Sequence, residues 1–275
     1  MQDLLNSDGP MRLKQCRRGP MLYSSNDTAI GKLLDTYGEF SEPEVEILDR
    51  LVSRGDLVVE VGANIGALTV PLAQFVGEEG HVIAFEPQRI LFQNLCANLA
   101  LNGLTNVRAI NAAVGRESGS ITLPKIDYAK PGMFGAHSIE GATTGEEVQL
   151  LALDQYLRTN RCRLMKIDVE GMEEQVILGA RAFIEQHKPI LYVENDRKEK
   201  SPSLIRTLLD MGYRLYWHLP TLTRDDNFFG AAKDFMTNTI SINMVCAPAT
   251  LTVAGMDALQ IHSPDDWWQD LELRV

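Results

Sequence analysis

The sequence predicts an α/β fold in which a mostly parallel β-sheet carries helices on both faces. Short β-branched runs alternate with segments of helical spacing between residues 56 and 211, as parallel strands joined by crossover helices require. No linker or internal repeat divides the 275 residues, so we expect one domain. A composition of 45% hydrophobic and 23% charged residues is that of a globular chain and excludes global disorder.

The individual elements follow from local patterns. The first strand, residues 56–61 (DLVVEV), is a β-branched run that ends at Gly62, as buried strands commonly do. Apolar residues at helical spacing predict a helix over 67–76. The same two patterns predict strands at 81–85, 107–114, 164–169 and 190–194, and helices at 89–101, 173–185 and 203–211.

Two regions depart from the alternation. Residues 120–151 are rich in Gly, Pro and Thr and are interpreted as an insertion with strand-like ends around a mobile loop. Residues 213–217 and 239–245 are predicted to form an antiparallel pair of strands. We therefore expect three regions, namely an N-terminal extension (1–40), the main domain (41–248) and a C-terminal tail (249–275).

The charge balance argues against a polyanionic partner. Lys and Arg number 26 against 37 for Asp and Glu, a net charge of −11, and a uniformly acidic surface repels phosphate. We expect no nucleic acid partner, although one basic stretch contains Arg12, Lys14, Arg17 and Arg18. A solvated segment is the more common role of such a run.

The sequence says less about the cellular compartment and the oligomeric state than about the fold. The four cysteines lack any metal-like spacing, which favours reduced, mostly buried thiols. The chain shows no secretory leader and no run apolar enough to span a membrane. A cytoplasmic protein without a membrane partner is therefore expected, and homo-oligomer formation is left open.

The most informative segment follows the first predicted strand. Residues 60–66 (EVGANIG) place glycines where a strand turns into a helix, so that a ligand can approach the backbone closely. The spacing differs from the GxGxxG dinucleotide fingerprint, and Glu60 would repel a pyrophosphate while suiting a ligand with a positive amino group. Glu86 ends the second strand, where a carboxylate can accept both hydroxyls of a ribose.

These motifs resemble the cofactor site of class I S-adenosylmethionine-dependent methyltransferases and, more closely, the FkbM family. The resemblance runs from about residue 56 to residue 196. Its pieces are VVEVGANIGALTVPLA (58–73), VIAFEPQ (82–88), NAAVG (111–115), LDQYL (153–157), LMKIDVEGMEEQVILGA (164–180) and PILYVEN (189–195). The resemblance implies a Rossmann-like fold with a seven-stranded, mostly parallel sheet and helices on both faces.

The resemblance also implies site residues and an activity. The methionine part of the cofactor would contact Glu60, Gly62, Ala63, Asn64 and Gly66. The ribose would contact Glu86 beside Pro87, and the adenine would lie near Asn111 and Ala112. Apart from the resemblance, the position of Asp168 at the carboxyl end of its strand predicts that it faces the cofactor or the acceptor. FkbM-like enzymes typically methylate hydroxyl groups of small molecules such as sugars and polyketides, so a small hydroxylated acceptor is expected.

The strand ending LMKIDVEG carries the candidates for catalysis. Lys166, Asp168 and Glu170 alternate along it, and Glu194 ends the neighbouring strand. Asp168, Glu170 and Glu194 could hold Mg²⁺ through oxygen ligands, bind an amine, or cap the next helix. Lys166 is expected to pair with one of these acids rather than to act as a base.

A histidine could take the acceptor's proton near neutral pH. His137 lies in the insertion and His218 ends a late strand, and both are candidate bases although a structural role is more common for a lone histidine. Asn227, Phe228 and Phe229 are candidates for the acceptor pocket, with core packing as the alternative. Residues 23–43 are expected to form part of a lid over the cofactor.

Other activities fit the sequence less well. An N-methyltransferase is disfavoured because Asp168-Val169-Glu170 lacks the Asn/Asp-Pro-Pro-aromatic motif, and a nicotinamide oxidoreductase is disfavoured by the glycine spacing. RNA methylation is disfavoured by the net charge. A non-catalytic scaffold that binds S-adenosylmethionine stays open, since an intact cofactor site does not by itself establish turnover.

Overall fold

The computed structural model describes residues 9–136, 143–159, 161–251 and 255–273. Its strands are β1 (Met11–Cys16), β2 (Gly19–Ser24), β3 (Leu57–Val61), β4 (His81–Phe85), β5 (Val107–Ile110), β6 (Ala113–Val114), β7 (Gly119–Pro124), β8 (Gly145–Leu151), β9 (Leu164–Ile167), β10 (Ile190–Glu194), β11 (Tyr213–His218), β12 (Asn243–Pro248) and β13 (Gln260–Ile261). Its α-helices are α1 (Ile30–Tyr37), α2 (Glu42–Leu51), α3 (Thr69–Val76), α4 (Arg89–Leu101), α5 (Leu153–Tyr156), α6 (Glu173–Gly179), α7 (Arg181–His187) and α8 (Ser201–Asp210).

An eight-stranded sheet in the order β13-β11-β12-β10-β9-β3-β4-β5 forms the centre of the described chain. Five neighbouring strands run parallel to one another, in the order β10, β9, β3, β4 and β5. Strand β12 is antiparallel to both of its neighbours. The mostly parallel α/β fold is confirmed. The expected count of seven strands is exceeded by β13, a two-residue strand on the edge beyond β11.

The core lies on both faces of this sheet. Successive strand residues point to opposite faces, and along β3 Val58 joins one apolar cluster while Val59 joins the other. Helices α2, α3 and α4 contribute to the Val58 cluster, and α6, α7 and α8 to the Val59 cluster. Because both faces are buried, the carboxyl edge is where the central strands can present polar groups to a ligand.

Three predicted boundaries are wrong. The strand expected at 107–114 is two strands, since the chain leaves β5 after Ile110 and β6 joins a separate sheet ordered β6-β8-β7. The helix expected at 173–185 is interrupted at Ala180. The strand expected at 239–245 is β12, which begins at Asn243. Each correction concerns a short break that apolar periodicity does not reveal.

The N-terminal extension folds onto the main domain. Strands β1 and β2 form an antiparallel hairpin, and Asn98 of α4 holds it by accepting the Leu22 N–H at 2.6 Å and donating to the Leu22 carbonyl at 3.0 Å. The same amide donates to the carbonyl of Ile65 at 2.8 Å. One buried side chain thus connects the hairpin to the turn that follows β3.

The basic stretch of the extension is neutralised within the chain. Lys14 pairs with Asp35 at 2.8 Å, Arg17 with Glu39 at 2.7 Å and Arg18 with Glu42 at 2.5 Å, and Arg12 donates to backbone carbonyls. These contacts attach the hairpin to α1, to α2 and to the residues between them. No helix among the described residues combines the length and apolar character needed to cross a bilayer.

Candidate active site

A cavity of about 450 Å³ opens at the carboxyl edge of the central strands, within the size range of ordinary small-molecule sites. Its floor is formed by the ends of β3, β4, β9 and β10 and the turns that follow them. The remaining walls come from the N-terminal extension, the insertion and the segment between β11 and β12. The cavity is therefore shared between the parallel sheet and the regions added to it.

The turn after β3 forms one wall. Gly62 has φ +89°, and a Cβ there would lie 1.7 Å from the carbonyl oxygen of Asp168, so only glycine fits. Ala63 and Asn64 line the cavity beside it, and Asn64 also has positive φ, +53°. Gly66 lies outside the cavity lining and shapes the turn through its φ of +87°.

Glu86 lies after β4 and is only 4% exposed. Its carboxylate accepts the Asn64 N–H and the Gln88 N–H, both at 2.8 Å. Burial raises its pKa to about 7, against the lowering effect of these two hydrogen bonds. Pro87 and Ala112 line the cavity beside it. The carboxylate is thus held rigidly in the position predicted for ribose recognition.

Asn111 is placed differently from the expectation. Its amide donates to the carbonyls of Glu86 at 2.8 Å and Pro87 at 3.0 Å, and its side chain is exposed outside the cavity lining. It fixes the backbone on which Glu86 stands. Of the two residues expected around the adenine, only Ala112 borders the cavity.

Glu60 and Lys166 are buried charges at the base of the cavity. Glu60 is 0% exposed, and its Oε2 accepts the Thr69 hydroxyl at 2.6 Å. Its Oε1 is buried without a hydrogen-bond partner, a costly state unless a ligand supplies a donor. Lys166 is 1% exposed and donates to Asp168 Oδ2 at 2.9 Å. The predicted pairing of Lys166 with a neighbouring acid is confirmed.

Asp168, Glu170 and Glu194 converge as the sequence predicted. One carboxylate oxygen from each lies within 4.8 Å of the others, an arrangement that could hold a divalent cation. Two of the three already have cationic partners, because Asp168 meets Lys166 and Glu170 accepts from Arg197 at 2.6 Å. Burial, followed by the neighbouring carboxylates, raises the pKa of Glu170 and Glu194.

Of the two candidate histidines, the structure describes only His218, and it does not bring His218 to the cavity. Nδ1 of His218 lies 2.8 Å from the hydroxyl of Tyr192, and burial lowers the pKa of His218 to about 4. His218 is absent from the cavity lining in the described part of the chain. His137 lies outside the described residues. His218 is therefore not supported as the base, and the prediction for His137 stays untested.

The regions flanking the sheet contribute residues to which the sequence assigned no role in the site. Glu44 of α2 lines the cavity, and so do Leu222 and Ile240 from the segment before β12. These residues carry no motif, and only the fold brings them together. The residues predicted for the acceptor pocket, Asn227, Phe228 and Phe229, lie outside the lining.

The predicted lid, residues 23–43, provides part of the cavity wall through Ile30 and Phe40. Its Tyr37 and Glu39 face elsewhere. The hydroxyl of Tyr37 accepts the Phe235 N–H at 2.9 Å, and Glu39 accepts the Phe228 N–H at 2.8 Å. These hydrogen bonds attach the predicted lid to the segment between β11 and β12.

The residues present fit the cofactor that the fold implies. S-adenosylmethionine carries a ribose, which needs a hydrogen-bond acceptor, and an α-amino group, which needs a carboxylate. Glu86 supplies the first, and the unpartnered Oε1 of Glu60 supplies the second within the same cavity. The left-handed backbone at Gly62 keeps the adjoining wall free of side chains. The unpartnered Oε1 of Glu60 and the left-handed backbone at Gly62 are thus the two features of the cavity that fit this cofactor.

The sheet order, the glycine turn after β3 and the acid after β4 define the Rossmann-like fold of class I methyltransferases. Within that class the chain belongs to the FkbM methyltransferase family, because the Methyltransferase FkbM domain model matches residues 60–215.

Similar proteins agree with this assignment. The chain is 27% identical to "Methyltransferase 1" of Beauveria bassiana and to "Methyltransferase sdnD" of Sordaria araneosa, each match covering 44% of the chain. It spans only 57% and 59% of the length of these curated relatives. A solved methyltransferase FkbM from Methylobacillus flagellatus has the same fold at TM-score 0.50 and 18% identity, covering 70% of this chain and 44% of that chain.

Proposed function

We propose that the chain transfers the methyl group of S-adenosylmethionine to a hydroxyl group of a small molecule. The observation that carries the proposal is the pairing of Glu60, with its unpartnered Oε1, and Glu86, fixed by two backbone N–H groups, across one cavity of the family domain. The two carboxylates match the two polar ends of the nucleoside cofactor.

The chain's contribution is chiefly to bind and orient. Glu86 would accept hydrogen bonds from the ribose hydroxyls, Glu60 would accept one from the α-amino group, and the wall at Ala112 would border the adenine. When bound, the cofactor supplies a methyl group activated by a positively charged sulfur. Holding the acceptor oxygen in line with that methyl group removes much of the entropic barrier.

Asp168 is the residue we assign to the acceptor hydroxyl. Its side chain is 34% exposed to the cavity, while Lys166 fixes its Oδ2 at 2.9 Å. A carboxylate oriented in this way can accept a hydrogen bond from the acceptor hydroxyl and take its proton while the methyl carbon bonds to the acceptor oxygen. The carbon–sulfur bond would break in the same displacement, and the sulfur would leave as the neutral thioether of S-adenosylhomocysteine. His218, held by Tyr192 away from the cavity, is not needed for this role.

The charge and polarity of the side chains that line the cavity limit which acceptor molecules can bind. Phe40, Leu222 and Ile240 offer apolar surface to the acceptor. The polar part of the same cavity has more carboxylates, among them Glu170, Glu194 and Asp196, than cations, which are Lys166 and Arg197. Such a site favours a neutral or amine-bearing molecule over a phosphorylated or carboxylated one. The acidic lining also supports the second candidate, methylation of an amino group.

Calorimetric titration with S-adenosylhomocysteine, with NADH as the control ligand, tests the cofactor. Micromolar binding of the first alone is expected, and absence of that binding would overturn the proposal. Repeating the titration with Mg²⁺ tests the alternative that Asp168, Glu170 and Glu194 hold a cation, since any tighter binding with Mg²⁺ should then be lost in Glu194→Gln.

Transfer of labelled methyl groups from S-adenosylmethionine to matched alcohols and amines then tests the acceptor class. Labelled ethers are expected for the alcohols, and Asp168→Asn should lower their rate about 100-fold or more. Labelling of the amines alone would replace O-methylation by N-methylation. Glu79→Gln, at an exposed position outside the cavity, is the matched control.

A further inference from the structure

A layer of buried ionisable groups lies on one face of the sheet beneath α2. Glu60 of β3 and Lys166 of β9 are register partners, and Lys166 is in turn the partner of Tyr192 in β10. Partners on adjacent strands point to the same face, and Asp168, two residues beyond Lys166, follows the same alternation. Four polar side chains from three neighbouring strands therefore share that face.

Glu44 adds a carboxylate to this layer from the opposite side. It lies in the first turn of α2, is 3% exposed, and lines the cavity together with Glu60 and Lys166. Its Oε2 accepts the Ser41 hydroxyl at 3.0 Å. Glu44 belongs to α2 and precedes residues 60–215, which the family model matches.

The charges in the layer do not cancel. Lys166, which is 1% exposed, lies in this layer with Glu44, Glu60 and Asp168, and all four line the cavity. Tyr192, the other ionisable neighbour of Glu44, is held neutral because burial raises its pKa well above the ordinary value. With all carboxylates ionised, the layer carries more negative than positive charge. Asp168, which we assign to the acceptor hydroxyl, is one of the charges acting on Glu44, so Glu44 faces the part of the cavity where the methyl group would be transferred.

We propose that Glu44 makes the site discriminate by charge, so that it binds the sulfonium cofactor more tightly than the demethylated product. This inference rests on the proposed function. S-adenosylmethionine and S-adenosylhomocysteine share the adenine, the ribose and the amino acid, and they differ by one methyl group and its positive charge. The hydrogen bonds from the ribose to Glu86 and from the amino group would be the same in both ligands. They therefore do not affect the ratio of the two affinities.

The test compares dissociation constants for S-adenosylmethionine, S-adenosylhomocysteine and sinefungin, in which an amine replaces the charged sulfur. Glu44→Gln is expected to weaken the two cationic ligands about fivefold relative to S-adenosylhomocysteine, as loss of one charge at moderate effective dielectric implies. Glu46→Gln is the matched control, because Glu46 lies on the same helix, pairs with Arg224 and does not line the cavity. It should leave the ratio unchanged.

A pH series on the unsubstituted chain gives an independent measurement. Burial raises the pKa of Glu44 to about 7, so Glu44 should lose its proton between pH 6 and 8 and the preference for the cationic ligands should rise. Burial also raises the pKa of Glu86 to about 7 and of Glu170 to about 8 in the same cavity, so the rise should be smaller in Glu44→Gln than in the unsubstituted chain. A flat ratio overturns the inference even if Glu44→Gln does not fold. Binding of all three ligands with an unchanged ratio in Glu44→Gln overturns the inference alone, whereas absence of all binding overturns the proposed function as well.

Discussion

Removal of the Glu86 carboxylate should weaken nucleoside binding by an amount that the structure allows us to calculate. Two ribose hydroxyls would donate to a carboxylate that is already fixed by the N–H groups of Asn64 and Gln88, both at 2.8 Å. Hydrogen bonds to a charged group contribute about 1.5–3 kcal/mol each, and with a pKa near 7 the group is only partly ionised at neutral pH. We expect Glu86→Ala to cost about 2 kcal/mol, or roughly 30-fold in affinity.

The assay uses adenosine, so that the methionine end of the site does not contribute. Calorimetric titrations of the unsubstituted chain and Glu86→Ala are compared with adenosine and with 2′,3′-dideoxyadenosine, which forms a double-mutant cycle on the ribose contacts. Loss of affinity should appear for adenosine alone, and it should be larger at pH 8 than at pH 6 because the carboxylate is then fully ionised. Glu79→Ala, on an exposed turn, is the control. An equal loss for both nucleosides would refute the assignment of Glu86 to the ribose.

Three further predictions concern stability and the extension. Gly62→Ala should lower the free energy of unfolding by more than about 2 kcal/mol, because of its left-handed φ and the backbone oxygen 1.7 Å from the new Cβ, whereas Gly103→Ala, with open space around it, should cost about 1 kcal/mol in denaturant titrations. Burial raises the pKa of Glu44 and Glu86 from 4.5 to about 7, so both carboxyls retain protons on folding between these pH values. The contribution of these two carboxyls to the free energy of unfolding is therefore complete below pH 4.5. It is lost as the pH rises to about 7, by up to about 3 kcal/mol for each group. A melting temperature that rises between pH 5 and 8 would contradict this. Limited proteolysis within residues 23–43 should slow when S-adenosylhomocysteine is bound, and equal cleavage rates would argue against a lid.

The cofactor half of the site could be predicted from the sequence because it is built from local signals. A buried strand that ends at Gly62, and an acid that ends the next strand at Glu86, need only the parallel order of two neighbouring strands to converge. The approach of Asp168, Glu170 and Glu194 follows from the same rule applied to β9 and β10. Periodicity and strand-end chemistry are sufficient where consecutive elements are also neighbours in space.

The acceptor half could not be predicted, because its residues are apolar or structural by type and distant in sequence. Leu222 and Ile240 resemble ordinary core residues in the sequence. Phe228, which was expected in the acceptor pocket, lies outside it and is held by a hydrogen bond from its backbone N–H to Glu39. His218 ends a strand as predicted but belongs to β11, separated from β10 by β12. Strand order, which the sequence does not display, decides which edge residues meet.

Glu44 shows where sequence reasoning stops and what the fold adds. In the sequence it is one of three glutamates in EPEVE, and acids are common in the first turn of a helix because they favour its positive end. Glu42 fulfils that ordinary expectation by pairing with Arg18. Glu44 is instead directed by the docking of α2 toward Lys166 and Glu60, where a third carboxylate is electrostatically unfavourable unless a cation joins it. We attribute the burial of this unfavourable charge beside the unpartnered Glu60 oxygen to the ligand. A positively charged ligand would reduce the repulsion that Glu44 experiences and would give the Glu60 oxygen a hydrogen-bond donor.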